Sequence, residues 1–280
     1  HQKQTARAGG IAILVAFLVC VTVWRYALPY PSALLPASMF NALLFLGVCV
    51  AVVGVIDDVV LFSISNGAKF VLELIVAAVL VWMVGIRIGP IQIAGVYWSL
   101  GVLDIPVSIL WIVGVTNALN LIDGIDGLAG TLTLLIIGSI GFMAWQARSV
   151  DVIVLCAIVA GATAGFLLFN YSPAKVFLGD TGSLFLGMFI GTLSIYLLHL
   201  PSTDHSGLVL PLVVGLPLID VCVAMARRYA KARRAGKAHL QSASAMFKPD
   251  NEHMHHRLVQ RGLSHNQAVI VLAVVSFTLS

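Results

Sequence analysis

Between residues 117 and 128 the chain reads Asn-Ala-Leu-Asn-Leu-Ile-Asp-Gly-Ile-Asp-Gly-Leu, two amides and two carboxylates set directly after an apolar stretch of helical length. An ionised carboxylate in hydrocarbon costs on the order of 3 kcal/mol by insertion scales, so acids placed at a membrane segment read as functional by default. The spacing of three along Asn117, Asn120, Asp123 and Asp126 brings successive oxygens near one helical face and concentrates hard oxygen ligands. Such a set suits Mg²⁺, which takes one or two protein oxygens and completes its shell with water and substrate phosphates. Gly124 and Gly127 let the backbone approach a ligand closely. The competing account is a glycine-rich helix terminus with incidental acids.

Three further clusters carry the same kind of chemistry. Asp57 and Asp58 close the apolar run Val-Gly-Val-Ile. Adjacent carboxylates repel and a nearby cation relieves the repulsion, which suits a base, a nucleophile or a site facing Mg²⁺; a helix-capping pair is the alternative. The loop from Asn170 to Ser183 combines a turn, Lys175, the Phe177 ring and Asp180, which supply a cation, a stacking surface for a base and a second oxygen ligand. Lys175 serves equally well as a topogenic charge. His253, His255 and His256 with Arg257 lack the spacing of a zinc helix, and read better as charge-assisted donors for phosphate oxygens. Lys69 joins the candidate substrate-binding residues, and Glu73, four residues on, is expected to pair with it.

The elements that must position these groups follow from composition. With 60% hydrophobic and 10% charged residues and a mean hydropathy of +1.01, the chain has too little charge for a soluble globule. It reads as an all-α polytopic membrane protein with spans near 10–27, 38–56, 68–85, 102–116, 131–147, 152–169, 184–199, 207–224 and 267–280, about nine in all, each near the length that crosses ~30 Å of hydrocarbon. Between Arg87 and Ser99 short β-branched pieces alternate with Gly and Pro, the pattern of a small hairpin or interfacial loop. Pro29, Pro31 and Pro36 mark the first turn, and Trp24, Tyr26, Tyr30, Tyr97 and Trp98 suit an aromatic belt. Alternate threading sends 1–9, 57–67, 117–130, 170–183 and 225–266 to one side. Arg25, Arg87 and Arg148 are then the only Lys or Arg residues on the other side, so the positive-inside rule makes the first side cytoplasmic. All four polar clusters fall on it. The remaining basic residues read as topology signals and anionic-lipid attraction, with no nucleic-acid partner. Cys20, Cys49, Cys156 and Cys222 lie within spans as small buried hydrophobes.

In order, His1-x-x-x-Thr5-x-Arg7-x-Gly9-Gly10, Asp57-Asp58, Asn117-x-x-Asn120-x-x-Asp123-Gly-x-Asp126-Gly, Val176-Phe177-Leu178-Gly179-Asp180-x-Gly182-Ser183 and His253-Met-His255-His256 resemble the polyprenyl-phosphate N-acetylhexosamine-1-phosphate transferases, over almost the whole chain. The resemblance implies transfer of a sugar-1-phosphate from a UDP-sugar to a membrane polyprenyl phosphate with release of UMP, a requirement for Mg²⁺ with Mn²⁺ as a substitute, and a fold of about ten spans that is often a homodimer. It implies a single integral-membrane domain over 1–280, trimmed at both ends, in the bacterial cytoplasmic membrane, with a periplasmic hairpin and cytoplasmic active-site loops. Carried over by position, Asn120 and Asp180 look like magnesium ligands with Asp123 close by. Phe177 looks like the ring on uracil and Asp126 like a partner of that base. His253, His255 and His256 look like the diphosphate contacts, with Arg257 and Asn117 in the substrate-binding set, and Asp57 looks like the base or nucleophile beside Asp58.

Departures from the family pattern fall at Val59, Val60 and Leu61, where relatives have an acid, at Gln4 and Ala6 around the Thr, and at Glu73, where Gln is common. Met254 interrupts the histidines, and together with Asp250-Asn-Glu and Gly262-Leu-Ser-His this resembles the GlcNAc-1-phosphate branch rather than the muramoyl-pentapeptide one. A secondary transporter is the rival from another class, and Asp220 after Pro217 is the residue that leans toward it.

Overall fold

The computed structural model describes residues 6–27, 36–59, 65–93, 96–200, 214–246 and 253–279. His1 to Thr5, Pro29 to Pro31, Val60, Leu61, the first part of the eighth expected span and Asp250 to Glu252 lie outside the described residues, as do the side chains of Asp57, Asp58 and Tyr97. The long helices are α1 (Gly9–Ala27), α2 (Ala37–Val59), α3 (Asn66–Val84), α4 (Asp104–Ile122), α5 (Leu128–Gln146), α6 (Val150–Asn170), α7 (Gly179–Leu197) and α8 (Gly215–Arg234). Two short helices, α9 (His239–Ala245) and α10 (Met254–Gln260), precede α11 (His265–Leu279). Helices α1 to α7 each provide a segment long and apolar enough to cross a membrane, and α11 adds a shorter apolar helix. The protein is a multi-pass membrane protein. The hairpin expected between Arg87 and Ser99 is present, with β1 (Ile91–Ile93) antiparallel to β2 (Val96–Trp98) and Ile91 paired with Trp98.

Helix α7 is the axis of the bundle. It is buried on every face, with α1, α2, α4 and α5 around it, as expected of a helix apolar all round. Phe17 of α1 fits between Phe185 and Phe189, with ring centroids 5.0 and 5.4 Å away. On the α4 side the sequence supplies Gly187-x-x-x-Gly191, the small-residue spacing that lets membrane helices approach backbone to backbone. A Cβ on Gly187 would lie 2.5 Å from Thr116 Cα, and one on Gly191 would lie 3.0 Å from Ile112 Cα. The α4–α7 contact therefore depends on two missing methyl groups, and it carries Asn120 and Asp180 at its end.

Two expected boundaries move. Helix α4 runs on to Ile122, past the expected span end at 116, so Asn117 and Asn120 stand on the helix as their spacing requires. Asn117 Nδ2 donates to the Val113 carbonyl at 2.9 Å and also to Glu73, so the polar residue is satisfied without breaking the helix. Helix α8 likewise continues to Arg234, past the expected span end at 224, which puts Arg227, Arg228, Arg233 and Arg234 on a helix.

The ends of the helices sort by threading. At one end lie the N-termini of α1, α3, α5 and α7 and the C-termini of α2, α4 and α6. At the other, the Arg87 carbonyl meets His199 Nε2 at 2.8 Å, and Tyr196 donates to Asp151 at 3.3 Å.

Candidate active site

The floor of the site is where α3, α4 and α7 meet. Lys69, on the first turn of α3, pairs with the Asp180 carboxylate on the first turn of α7. Asn120 Nδ2 lies 3.4 Å from Asp180 Oδ1 and donates to Ser183 Oγ at 2.8 Å. The expected Lys69–Glu73 ion pair is not what forms: Lys69 takes Asp180, 111 residues away, and buried Glu73 accepts from Asn117 instead. A charged carboxylate across the site outcompetes the helical neighbour, which has an amide donor of its own.

One wall is the turn after α4. Asp123 caps the helix, its N–H reaching the Asn120 carbonyl at 3.3 Å. Asp126 lies past the helix, so the four oxygens expected on one helical face are divided between α4 and this turn; its Oδ2 accepts the Ala174 N–H at 3.0 Å. Asn170, at the C-terminus of α6, ties the turn to the opposite loop by accepting from the Gly127 N–H at 2.9 Å and donating to the Val176 carbonyl at 2.8 Å. The loop then runs beside the N-terminal segment, Phe177 N–H donating to the Ala6 carbonyl at 2.9 Å and Gly9 N–H to the Phe177 carbonyl at 3.0 Å. Both edges of the Phe177 backbone are used, and the residue remains 39% exposed. That geometry leaves the ring face for a stacking partner.

Against the same turn after α4 packs the histidine segment at the start of α10. Asp220 of α8 accepts from His253 Nδ1 at 2.8 Å with one oxygen and from the Met254 N–H at 2.9 Å with the other. An ionised carboxylate only accepts, so Nδ1 carries the proton, and Nε2 is left as acceptor for Arg228 Nη2 at 3.4 Å. His253 is thus buried with both ring nitrogens engaged inside the protein. His255 stacks parallel to it, centroids 6.0 Å apart, and lies 4.2 Å from the His256 ring. Burial, helped by the neighbouring His256, pushes the His255 pKa down to about 4, so the ring is neutral at pH 7. Its Nε2 sits where a Cβ on Gly124 would be, 2.2 Å from that position, so glycine is required there by contact. Among the described residues neither ring nitrogen of His255 has a hydrogen-bond partner, although the residue is 1% exposed. A buried polar ring in that state is completed by a ligand or water. Arg257 is exposed on the same short helix.

Asp57 and Asp58 lie in the last turn of α2. Gly54 packs against Thr181, a Cβ there falling 2.5 Å from Thr181 Cα, so the Asp57 backbone is about one helical turn beyond the residue next to Asp180. The residues meet the requirements of a divalent cation in part. Asn120 and Asp180 offer adjacent hard oxygens once the Asn120 amide is turned over, and Asp180 already attracts an ammonium. Among the described residues no three His, Cys, Asp or Glu side chains group to enclose a metal. This donor set fits an ion held largely by water and phosphate.

The profile of glycosyl transferase family 4 matches residues 40–198. A probable undecaprenyl-phosphate N-acetylglucosaminyl 1-phosphate transferase of Bacillus subtilis strain 168 is 34% identical over all of this chain and 73% of its own length. The chain belongs to glycosyl transferase family 4. A decaprenyl-phosphate N-acetylglucosaminephosphotransferase of Mycobacterium leprae is 30% identical over 97% of this chain and 71% of its own. A phospho-N-acetylmuramoyl-pentapeptide-transferase of Levilactobacillus brevis is 32% identical over 79% and 71%.

In this member of glycosyl transferase family 4 the structure brings Lys69, Asn120 and Asp180 into one cluster, adds Asp126, Phe177 and His255 around the same end of the bundle, and puts Asn117 one step behind, on Glu73. Four partners escaped the sequence reading. Asp220 looked like a transporter acid, yet it anchors His253. Ser183 and Asn170 stood only as parts of motifs, and Arg228 only among the basic residues read as topology signals. For Asp220 the available signal was an acid inside an apolar stretch with no cation at helical spacing.

Proposed function

We propose that this chain transfers GlcNAc-1-phosphate from UDP-GlcNAc to a polyprenyl phosphate at the cytoplasmic face of the bacterial inner membrane, forming polyprenyl-diphosphate-GlcNAc and UMP for cell-envelope polysaccharide synthesis. The observation that carries the reading is the convergence, at one end of the bundle, of the Lys69–Asp180–Asn120 cluster with the buried ring of His255, whose nitrogens have no partner among the described residues. A diphosphate laid between them meets an ammonium on one side and an imidazole donor on the other, the electrostatic complement that phosphoryl transfer requires. Asn120 and Asp180, with Asp123 beside them, would hold Mg²⁺, whose contribution when bound is to neutralise charge on the diphosphate. Uracil stacks on Phe177 and is read by Asp126. An oxygen of the lipid phosphate bonds to the sugar-bearing phosphorus while the bond from that phosphorus to the bridging oxygen breaks. UMP leaves with the electron pair. Asp57, in the last turn of α2, acts on the lipid phosphate.

The test is release of UMP from labelled UDP-GlcNAc, UDP-GalNAc and UDP-MurNAc-pentapeptide in the presence of polyprenyl phosphate. Turnover is expected with UDP-GlcNAc and to be lost in Asp180→Ala and Asn120→Ala. Wild-type rates in both variants would overturn the metal assignment, and preference for UDP-MurNAc-pentapeptide would move the chain to the branch of the Levilactobacillus relative. Uptake of substrate into liposomes without UMP release would indicate a transporter.

A further inference from the structure

The mechanism above leaves unexplained a buried acid on α8. Asp220 is 3% exposed and spends each carboxylate oxygen on a successive group of the histidine segment, the His253 ring and the Met254 N–H. Those two bonds fix where α10 begins and which way it points. Helix α8, in turn, packs on α4, the helix that ends in Asn120 and the Asp123 turn. The chain of contacts from Asp220 therefore leads through the His253 ring to the parallel His255 ring, and from there to Gly124 in that turn.

Stability alone gives a poor account of this arrangement. A buried carboxylate and its partner are often replaced by packed apolar side chains at no cost in stability. What an apolar replacement does not do is hold a second imidazole, with both nitrogens unsatisfied among the described residues, at contact distance from the turn that lines the site. We infer that Asp220 is a positioning residue for diphosphate recognition: acting through His253, it sets the His255 ring against the Asp123–Gly127 turn so that the ring meets the nucleotide's second phosphate. This inference rests on the proposed UDP-sugar site and assigns His253 an orienting role inside the protein.

The experiment compares UDP with UMP, which share the nucleoside and the first phosphate. Affinities of the purified full-length chain are measured for both nucleotides in wild type, Asp220→Asn, Asp220→Glu, His255→Ala and the Asp220→Asn/His255→Ala double variant, with thermal stability recorded alongside. The wild type is expected to prefer UDP. Asp220→Asn is expected to reduce the UDP/UMP preference about tenfold, Asp220→Glu to restore part of it, and the double variant to be no weaker toward UDP than His255→Ala alone, the non-additivity of residues in one network. Equal losses for UDP and UMP, or a double variant whose losses add, would make Asp220 a structural residue and overturn the inference while leaving the transferase reading intact. A wild type that binds UDP no better than UMP would overturn the diphosphate site itself. Because Asp220→Asn keeps the size and polarity and Asp220→Glu keeps the charge, either one that melts near wild type decides the question.

Discussion

The chemistry of this site depends on long-range pairs of single residues. Lys69 and Asp180 are 111 positions apart, Asn117 and Glu73 are 44 apart, and Asp220 and His253 are 33 apart. Residue type and local spacing exposed the chemistry of each of Lys69, Asp180, Asn117 and His253. They gave no way to choose partners, and so the Lys69–Glu73 pair was expected where an amide took the glutamate. At Glu73 an acceptor for Asn117 is what the structure requires, and Gln provides one. Glu73→Gln is therefore expected to keep stability and turnover near wild type, whereas Glu73→Ala, by stripping one partner from a half-buried amide, should cost about 1–3 kcal/mol in chemical or thermal unfolding. His255 gives a pH dependence with a defined sign. Its pKa is lowered from 6.5 in the unfolded chain to about 4 in the fold, so between those values the unfolded chain binds more protons. Its contribution to stability is complete above about pH 6.5 and is lost as the pH falls toward 4. Thermal melts from pH 7.5 to 4.5 should show that decline, and His255→Gln should flatten it; an unchanged slope in the variant would remove His255 as its source.

At the scale of elements, the apolar lengths located α1 to α7 because hydropathy reports the solvent each segment faces. Termini were less legible. Helix α4 outlasts its apolar stretch by six residues through Asn117 and Asn120, whose polarity is satisfied by a carbonyl one turn back, by Glu73 and by Ser183. Hydropathy does not see such satisfaction and ends the stretch at 116. Packing between α4 and α7 was written in the sequence as Gly187-x-x-x-Gly191, yet nothing local said which helix filled the groove. The structure makes that contact the rail on which Asn120 and Asp180 are set side by side. Gly187→Ala is expected to push Thr116 and its helix away, lowering stability by about 1–3 kcal/mol as overpacking does, and to lower turnover further by separating Asn120 from Asp180. Gly138, in the middle of α5, is the control: a Cβ there has no neighbour within 4 Å. Gly138→Ala should leave turnover unchanged and hold stability or raise it by up to about 1 kcal/mol. Equal behaviour of the two variants would show that the close approach at Gly187 is unimportant.

For the whole molecule, sidedness is the property that unites the site. Three loops that contribute functional groups join helices at the same end, because the chain returns there after every second crossing, between α2 and α3, between α4 and α5, and between α6 and α7, and the histidine segment is tied to that end by the contact of His255 with Gly124. An even number of crossings lies between any two of these loops, so no arrangement of the same helices across a bilayer can divide them between faces. The proposed cytoplasmic face is the one the charges favour: Arg7, Lys69, Lys175 and the basic residues at the end of α8 lie at this end, against Arg25, Arg87 and Arg148 at the other, and positively charged short loops favour the cytoplasmic side. A single cysteine introduced at position 175, with Cys20, Cys49, Cys156 and Cys222 replaced by alanine, is expected to react with a membrane-impermeant maleimide in inverted vesicles and to be protected in intact spheroplasts. A cysteine at position 148 should show the opposite pattern. Labelling of both positions from the same side would break the even-crossing argument and with it the shared pocket. Labelling with the two sides exchanged would keep the pocket whole but place it on the outer face, where no cytoplasmic nucleotide sugar could reach it.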